Sequence, residues 1–169
     1  QPIGCLDLRF SSGRVDAALR AGASLVATTA LRANGGFSGM GSALHGAGFI
    51  LDPEEARALR EQGPSVIRPY LGGADLLKTP RERYLVDFSG LAEDQARNAN
   101  PAAFQRVLDR VKPERDHNRR SSIREHWWRF GWERPKLRAA QRVLFRVTGT
   151  TETSKHRVFQ FIGGEYVAD

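Results

Sequence analysis

Four prolines govern how the helical part of this 169-residue chain divides. Proline has no amide hydrogen and a fixed φ, so it suits the first helical position and disrupts a helix interior. In "LDPEEARALREQG", Asp52 is placed to cap a helix, Pro53 to begin it, and Glu55 stands three residues after the cap as a capping box requires. Gly63 supplies a stop. Asn100 and Pro101 repeat the arrangement, and Phe104, Val107, Leu108 and Val111 then fall at i, i+3, i+4 and i+7, forming one apolar stripe. Pro113 breaks or kinks that helix, and Pro135 opens a short helical segment, "ERPKLRAA".

The remaining segments alternate in character. "CLDLRF" reads as a short strand, "VDAALRAGASLVATTALRA" as helical, and "NGGFSGMGSALHGAG" as glycine-rich turns. "SVIRPYLGGADLL" reads as an extended segment ending in a turn, and "RYLVDFSG" alternates as a strand does. A second helical region begins near Leu91 and is interrupted at "NANP"; beyond Pro113, "ERDHNRRSSIREHWWRF" is expected to resume as helix. "RVLFRVTG" and "HRVFQFIGG" are strand candidates on either side of the polar loop "TTETSK". Strands and helices mix without regular alternation, which predicts a single mixed α+β domain with short strands and several helices.

Hydrophobic residues make up 40% and charged residues 27%, so a core is within reach. The single cysteine, Cys5, rules out an internal disulfide and suits a reducing, cytoplasmic setting. No apolar run is long enough to span a bilayer, which predicts no membrane partner, and no signal pattern opens the chain. A start at Gln1 and an end at Asp169, inside the strand-like "GEYVAD", read as a fragment of a longer protein. The net charge of +7 is unevenly spread. Residues 106–146 hold 13 basic and 5 acidic side chains, a net of +8, and the other 13 and 14 leave −1. Concentrated positive charge attracts polyanions by releasing their counterions, while a solvated helix face is the plainer alternative.

Motifs for chemistry fail on inspection. Phe37-Ser38-Gly39-Met40-Gly41 matches the F-x-G-x-G turn of amino-methyltransferases, but no buried strand leads into it and no ribose-binding acid follows. "NPAAF" lacks the second proline and the aromatic of an adenine-gripping N-P-P-Y loop. Asp116 and His117 are adjacent, so on a helix they diverge by about 100° and do not share a metal. His45, His117, His126 and His156 show no ligand spacing. No catalytic, cofactor-binding or metal-binding residue is therefore assigned in this chain.

What remains is "VKPERDHNRRSSIREHWWRFGW" and the loop before "HRVFQF". On one helix, His117, Arg120 and Arg124 share a face. Arginine forks suit phosphates, whereas Trp127 and Trp128 suit either base stacking or core anchoring, the latter favoured because exposed indoles are costly. Thr150, Thr151, Thr153, Ser154, Lys155, His156 and Arg157 make the loop rich in donors for phosphates and base edges.

Taken in order, "GFSGMG…GAGFILDPEEARAL", "VIRPYLGGADL", "RYLVDFSGL", "VKPERDHNRRSSIREHWWRFGWERPKLRAA" and "TSKHRVFQF" resemble the target recognition region of large adenine-specific DNA methyltransferases, found in fused restriction–modification enzymes and related phage-defence systems. The resemblance covers residues 34–169 and implies a DNA recognition domain there, truncated at its C-terminal end. Residues 1–33 would then be a linker or edge segment from an upstream catalytic domain. The methyl donor S-adenosylmethionine and the N-P-P-Y loop would belong to that missing domain, and the partners would be that domain and double-stranded DNA. It implies phosphate contacts from Arg115, Arg119, Arg120 and Arg124, a DNA contact from Asn118, and groove or backbone contacts from Thr150, Thr151, Lys155, His156 and Arg157. Pro53, Gly63, Phe104 and Val107 read as structural. The rival readings are a basic protein-interaction or assembly module and an independent nuclease domain.

Overall fold

The computed structural model describes residues 31–155 and 157–169, together with Gly13, Val15 and Thr29. The strand expected in "CLDLRF", most of the helix expected after Val15, Cys5 and His156 lie outside the described residues. Two compact units divide the chain, Gln1–Phe37 and Ser38–Asp169. In the first, a 3-10 turn spans Arg32–Asn34, and the Gly35 amide donates to the Arg32 carbonyl at 3.0 Å. All further description concerns the second unit.

Its helices are α1 (Pro53–Arg60), α2 (Glu93–Ala99), α3 (Pro101–Arg110), α4 (Lys112–Asp116), α5 (Ser121–Glu125) and α6 (Pro135–Arg142). The strands are β1 (Ile50–Leu51), β2 (Ile67–Leu71), β3 (Tyr84–Val86), β4 (Arg146–Thr150), β5 (Phe159–Gly163) and β6 (Val167–Ala168). Four of them form a sheet in the order β1-β3-β2-β6, antiparallel except for the β2–β6 pair, and β4 and β5 form a separate antiparallel ribbon. The fold is α+β. Among the described residues no helix is long and apolar enough to cross a membrane.

The helix punctuation acts as the sequence implies. Asp52 Oδ1 accepts from the Glu55 amide at 2.8 Å, and Glu55 Oε2 accepts from the Asp52 amide at 3.2 Å, closing the capping box. Glu55 then pairs with Arg106 at 2.5 Å, which ties the start of α1 to α3. Asn100 Oδ1 accepts from the Ala103 amide at 2.9 Å to cap α3. Its Nδ2 donates to the carbonyls of Leu59 (2.7 Å) and Gly63 (3.1 Å), so one fully buried side chain satisfies three backbone groups across two helix ends. Gly63 is not the helix stop itself. Glu61 is the C-cap, and a Cβ at Gly63 would lie 2.2 Å from the Ala99 carbonyl oxygen, so glycine is needed for close approach to this junction.

Phe104, Val107 and Val111 are buried, and Leu108 is half-buried against them. They meet Leu85 and Val86 of the inner strand β3, with Phe49 and Phe88, in one apolar core. At Pro113 the helix kinks: Val111 separates α3 from α4, although Arg115 N still donates to Val111 O at 3.1 Å. The resumed long helix does not form. Asn118 Oδ1 captures the Arg120 amide at 3.0 Å, a turn that competes with helix, so α5 is a separate short helix and Trp127 and Trp128 fall beyond it. His117, Arg120 and Arg124 therefore share no helical face.

The ribbon rests on a 3-10 turn, Gly73–Leu76, through a hydrogen bond from Gln160 Nε2 to Leu76 O (2.8 Å). That turn is fixed by Asp75, which is 2% exposed. Its carboxylate accepts from the Gly72 amide at 2.9 Å, from Arg81 Nε at 2.9 Å and from Arg83 Nη2. Burial alone would raise the Asp75 pKa, but the hydrogen bonds from Arg81, Gly72 and Arg83 outweigh it and hold it down to about 2. Beside it, burial and then the Asp169 carboxylate push the Tyr70 phenol up to about 12; its hydroxyl donates to Asp169 Oδ2 at 3.1 Å, which joins β2 to the chain after β6.

Candidate nucleic-acid interface

Folding divides the basic stretch into charge that is used internally and charge that is left without a carboxylate partner. Arg106 and Arg110 pair with Glu55, Lys112 with Asp116, Arg129 with Glu133 and Arg138 with Asp87, while Arg115 is buried. Six of the thirteen cations in residues 106–146 are thus committed to the fold. Among the described residues, Arg119, Arg120, Arg124, Lys136, Arg142 and Arg146 are exposed and have no carboxylate partner, and the same holds for Lys155 and Arg157.

Arg115 corrects the sequence expectation of a phosphate contact. It is 1% exposed, and its guanidinium donates inward to five backbone carbonyls. Nη2 reaches Leu44 O at 2.6 Å and His45 O at 3.2 Å, Nε also reaches His45 O at 3.2 Å, and Nη1 serves Trp127 O at 3.0 Å, His126 O at 3.4 Å and Arg129 O. Burial lowers its pKa to about 10, so it remains charged at neutral pH. This arginine is the internal strut that shapes the 126–129 turn around residues 44–45. It has no donor left to offer outward.

Trp127 and Trp128 are 5% and 6% exposed. Trp127 meets Phe104 edge-on with centroids 5.2 Å apart, and Trp128 Nε1 donates to Leu91 O at 3.0 Å. Both are core residues, and base stacking is not open to them in this fold. Asn118, expected as a DNA contact, is half-buried; its side-chain oxygen makes the turn and its carbonyl accepts from Arg124 Nη1 at 2.6 Å. Thr151, expected at the groove, is 7% exposed, and the hydroxyl oxygens of both Thr150 and Thr151 are sheltered with no hydrogen-bond partner. Lys155 and Arg157 stand exposed on the loop between β4 and β5.

Trp132 is the aromatic that the sequence reading did not single out. It is 44% exposed and is pinned by reciprocal backbone bonds with Ala43, each 3.1 Å. The Arg134 guanidinium lies 4.6 Å from its ring centroid and that of Arg120 lies 6.0 Å away. His45 approaches its edge with centroids 6.2 Å apart. His45 and Arg134 both hold left-handed backbone, with φ of 50° and 52°, and a Cβ at Gly131 would lie 2.2 Å from His45 Cδ2. Strained backbone and a required glycine thus set the indole as a post that holds two guanidiniums at the surface. The signal in the sequence was the bracket around Trp132: Gly131 before it, and Pro135 directly after Arg134.

No protein-family model matches the chain, and no curated protein matches it. The fold is similar to part of the type IIL restriction–modification enzyme MmeI, solved in complex with DNA, with 14% sequence identity and a TM-score of 0.48. The match covers 78% of this chain and 18% of that one, so the chain spans less than a fifth of that enzyme's length. At that identity and score the likeness fixes neither activity nor partner.

Proposed function

We propose that this chain is a sequence-reading DNA recognition region that positions duplex DNA for an adenine-specific DNA methyltransferase of restriction–modification or phage-defence type. S-adenosylmethionine and the methyl transfer belong to a separate catalytic domain. One observation carries the DNA reading: the fold pairs or buries Arg106, Arg110, Lys112, Arg115, Arg129 and Arg138, and leaves Arg119, Arg120, Arg124, Lys136, Arg142, Arg146, Lys155 and Arg157 exposed without carboxylate partners, with Arg120 and the half-buried Arg134 set against Trp132. Guanidinium forks with fixed orientation suit phosphate oxygens, and such contacts set register on a duplex. The assignment of adenine methylation rests on the sequence resemblance alone. Arg119, Arg120, Arg124, Lys155 and Arg157 take the phosphate-contacting roles, and Trp132 with Arg134 joins them.

Repeated selection of bound duplexes from a random-sequence library tests the recognition role. Enrichment of one short sequence supports it. A bound pool that stays random, despite retained binding, would leave a non-specific DNA-binding module instead.

A further inference from the structure

The β4–β5 ribbon presents a face that the fold leaves uncovered. Alternation places Gln160 and Ile162 on one side of β5 and Phe159 and Phe161 on the other. Ile162 is buried and Gln160 is tied to Leu76, whereas Phe159 is 64% and Phe161 69% exposed. The register sets Thr150 opposite Phe159, Thr148 opposite Phe161, and Arg146 opposite Gly163. The Arg146 guanidinium lies 4.2 Å from the Phe161 ring centroid. Phe145, just before β4, is 93% exposed.

We propose that the Phe159–Phe161 face is a stacking platform for unpaired nucleic-acid bases, an inference that rests on the DNA-binding reading above. The side chains offered are flat rings, which match base faces, and their two-residue spacing along a strand is about 6.6 Å. That spacing exceeds the separation of stacked bases and suits the splayed bases of an extended strand. Charge points the same way. Arg142, Arg146, Lys155 and Arg157 are exposed in the chain segments around the ribbon without carboxylate partners. The acidic groups there are Glu152 in the loop and Glu165, whose carboxylate lies beside Gly163. An apolar protein partner has no use for that excess of positive charge, while a strand of phosphates does. Arg146 already makes the guanidinium–ring contact that a base would extend or replace. Bases inside an intact duplex present no free face, so the platform serves a strand whose bases have left the stack.

Fluorescence anisotropy with the full chain tests this, using a thymidine homopolymer of about 20 nucleotides and an abasic strand with the same phosphates. The wild-type chain is expected to bind the thymidine strand about tenfold or more tighter than the abasic one. F159A/F161A and F159L/F161L are expected to abolish that preference, F159Y/F161Y to keep it, and all three to retain the wild-type affinity for intact duplex. Equal affinity for the two strands, with duplex binding intact, overturns the platform and leaves the DNA reading standing. Binding to neither strand nor duplex overturns both. A base preference that survives in the leucine variant, or phenylalanine variants that change only self-association in sedimentation, assigns the face to apolar protein contact instead.

Discussion

Replacing Arg115 by lysine separates an internal strut from a phosphate contact. The charge is kept, so a residue acting on DNA through charge alone tolerates the change. The structure sets a different cost. Arg115 serves five carbonyls through six hydrogen bonds from three nitrogens splayed across a plane, and it is 1% exposed. A lysine ammonium has three donors on one atom, so at least two of the carbonyls of residues 44, 45, 126, 127 and 129 lose their partner. Each buried polar group left unpaired costs about 1–3 kcal/mol, and R115K is therefore expected to lose about 3–5 kcal/mol of stability. Urea denaturation followed by tryptophan fluorescence measures this as a lower midpoint at unchanged slope. At low temperature, where the variant stays folded, its duplex affinity should match the wild type. An R115K chain as stable as the wild type but several-fold weaker on DNA would refute the reasoning and return Arg115 to the interface.

Other perturbations follow from the same geometry. N100A removes the α3 cap and strands the carbonyls of Leu59 and Gly63, a loss of about 3 kcal/mol by denaturation. N100D keeps the cap but sets a buried carboxylate oxygen against those two carbonyls, so it should cost at least as much as N100A. The folded pKa of Asp75 is depressed, so its contribution is fully present above the unfolded value of 3.8 and is lost as pH falls toward about 2. That amounts to about 2 kcal/mol, and D75N should flatten the acid limb of the stability–pH curve in that window. W132A should cost less than about 1 kcal/mol of stability yet weaken duplex binding about three- to tenfold, because Arg120 and Arg134 lose their post. W127A should do the reverse, costing about 3–5 kcal/mol while the folded fraction binds normally.

Most of the framework was legible because its causes are local. Asp52-Pro53 and Asn100-Pro101 cap their helices through side chains that reach only three residues, and the 104–111 stripe depends on helical period alone. The ribbon showed in two alternating runs around a polar loop. The fate of each arginine was not legible, because it depends on which distant carbonyls converge. Arg115 lies near Arg119 and Arg120 in sequence, but its partners at residues 44–45 are some 70 positions away. One cue was present: Arg115 is four residues past Val111 and extends the buried stripe. Trp127 and Trp132 differ in the same way. The first meets Phe104 in the core, and the second pairs with Ala43 at a surface edge that composition does not reveal.

The central claim is that Arg119, Arg120, Arg124, Arg134, Lys155 and Arg157 bind phosphates. The salt dependence of duplex affinity tests it most directly. With Arg119, Arg120, Arg124, Arg134, Lys155 and Arg157 each neutralising one phosphate, log K is expected to fall with log salt at a slope of about −5.4. R119Q/R120Q/R124Q should shallow that slope by about 2.7, whereas R115K should leave it unchanged. A slope near zero, or one that the triple substitution does not alter, would contradict the account.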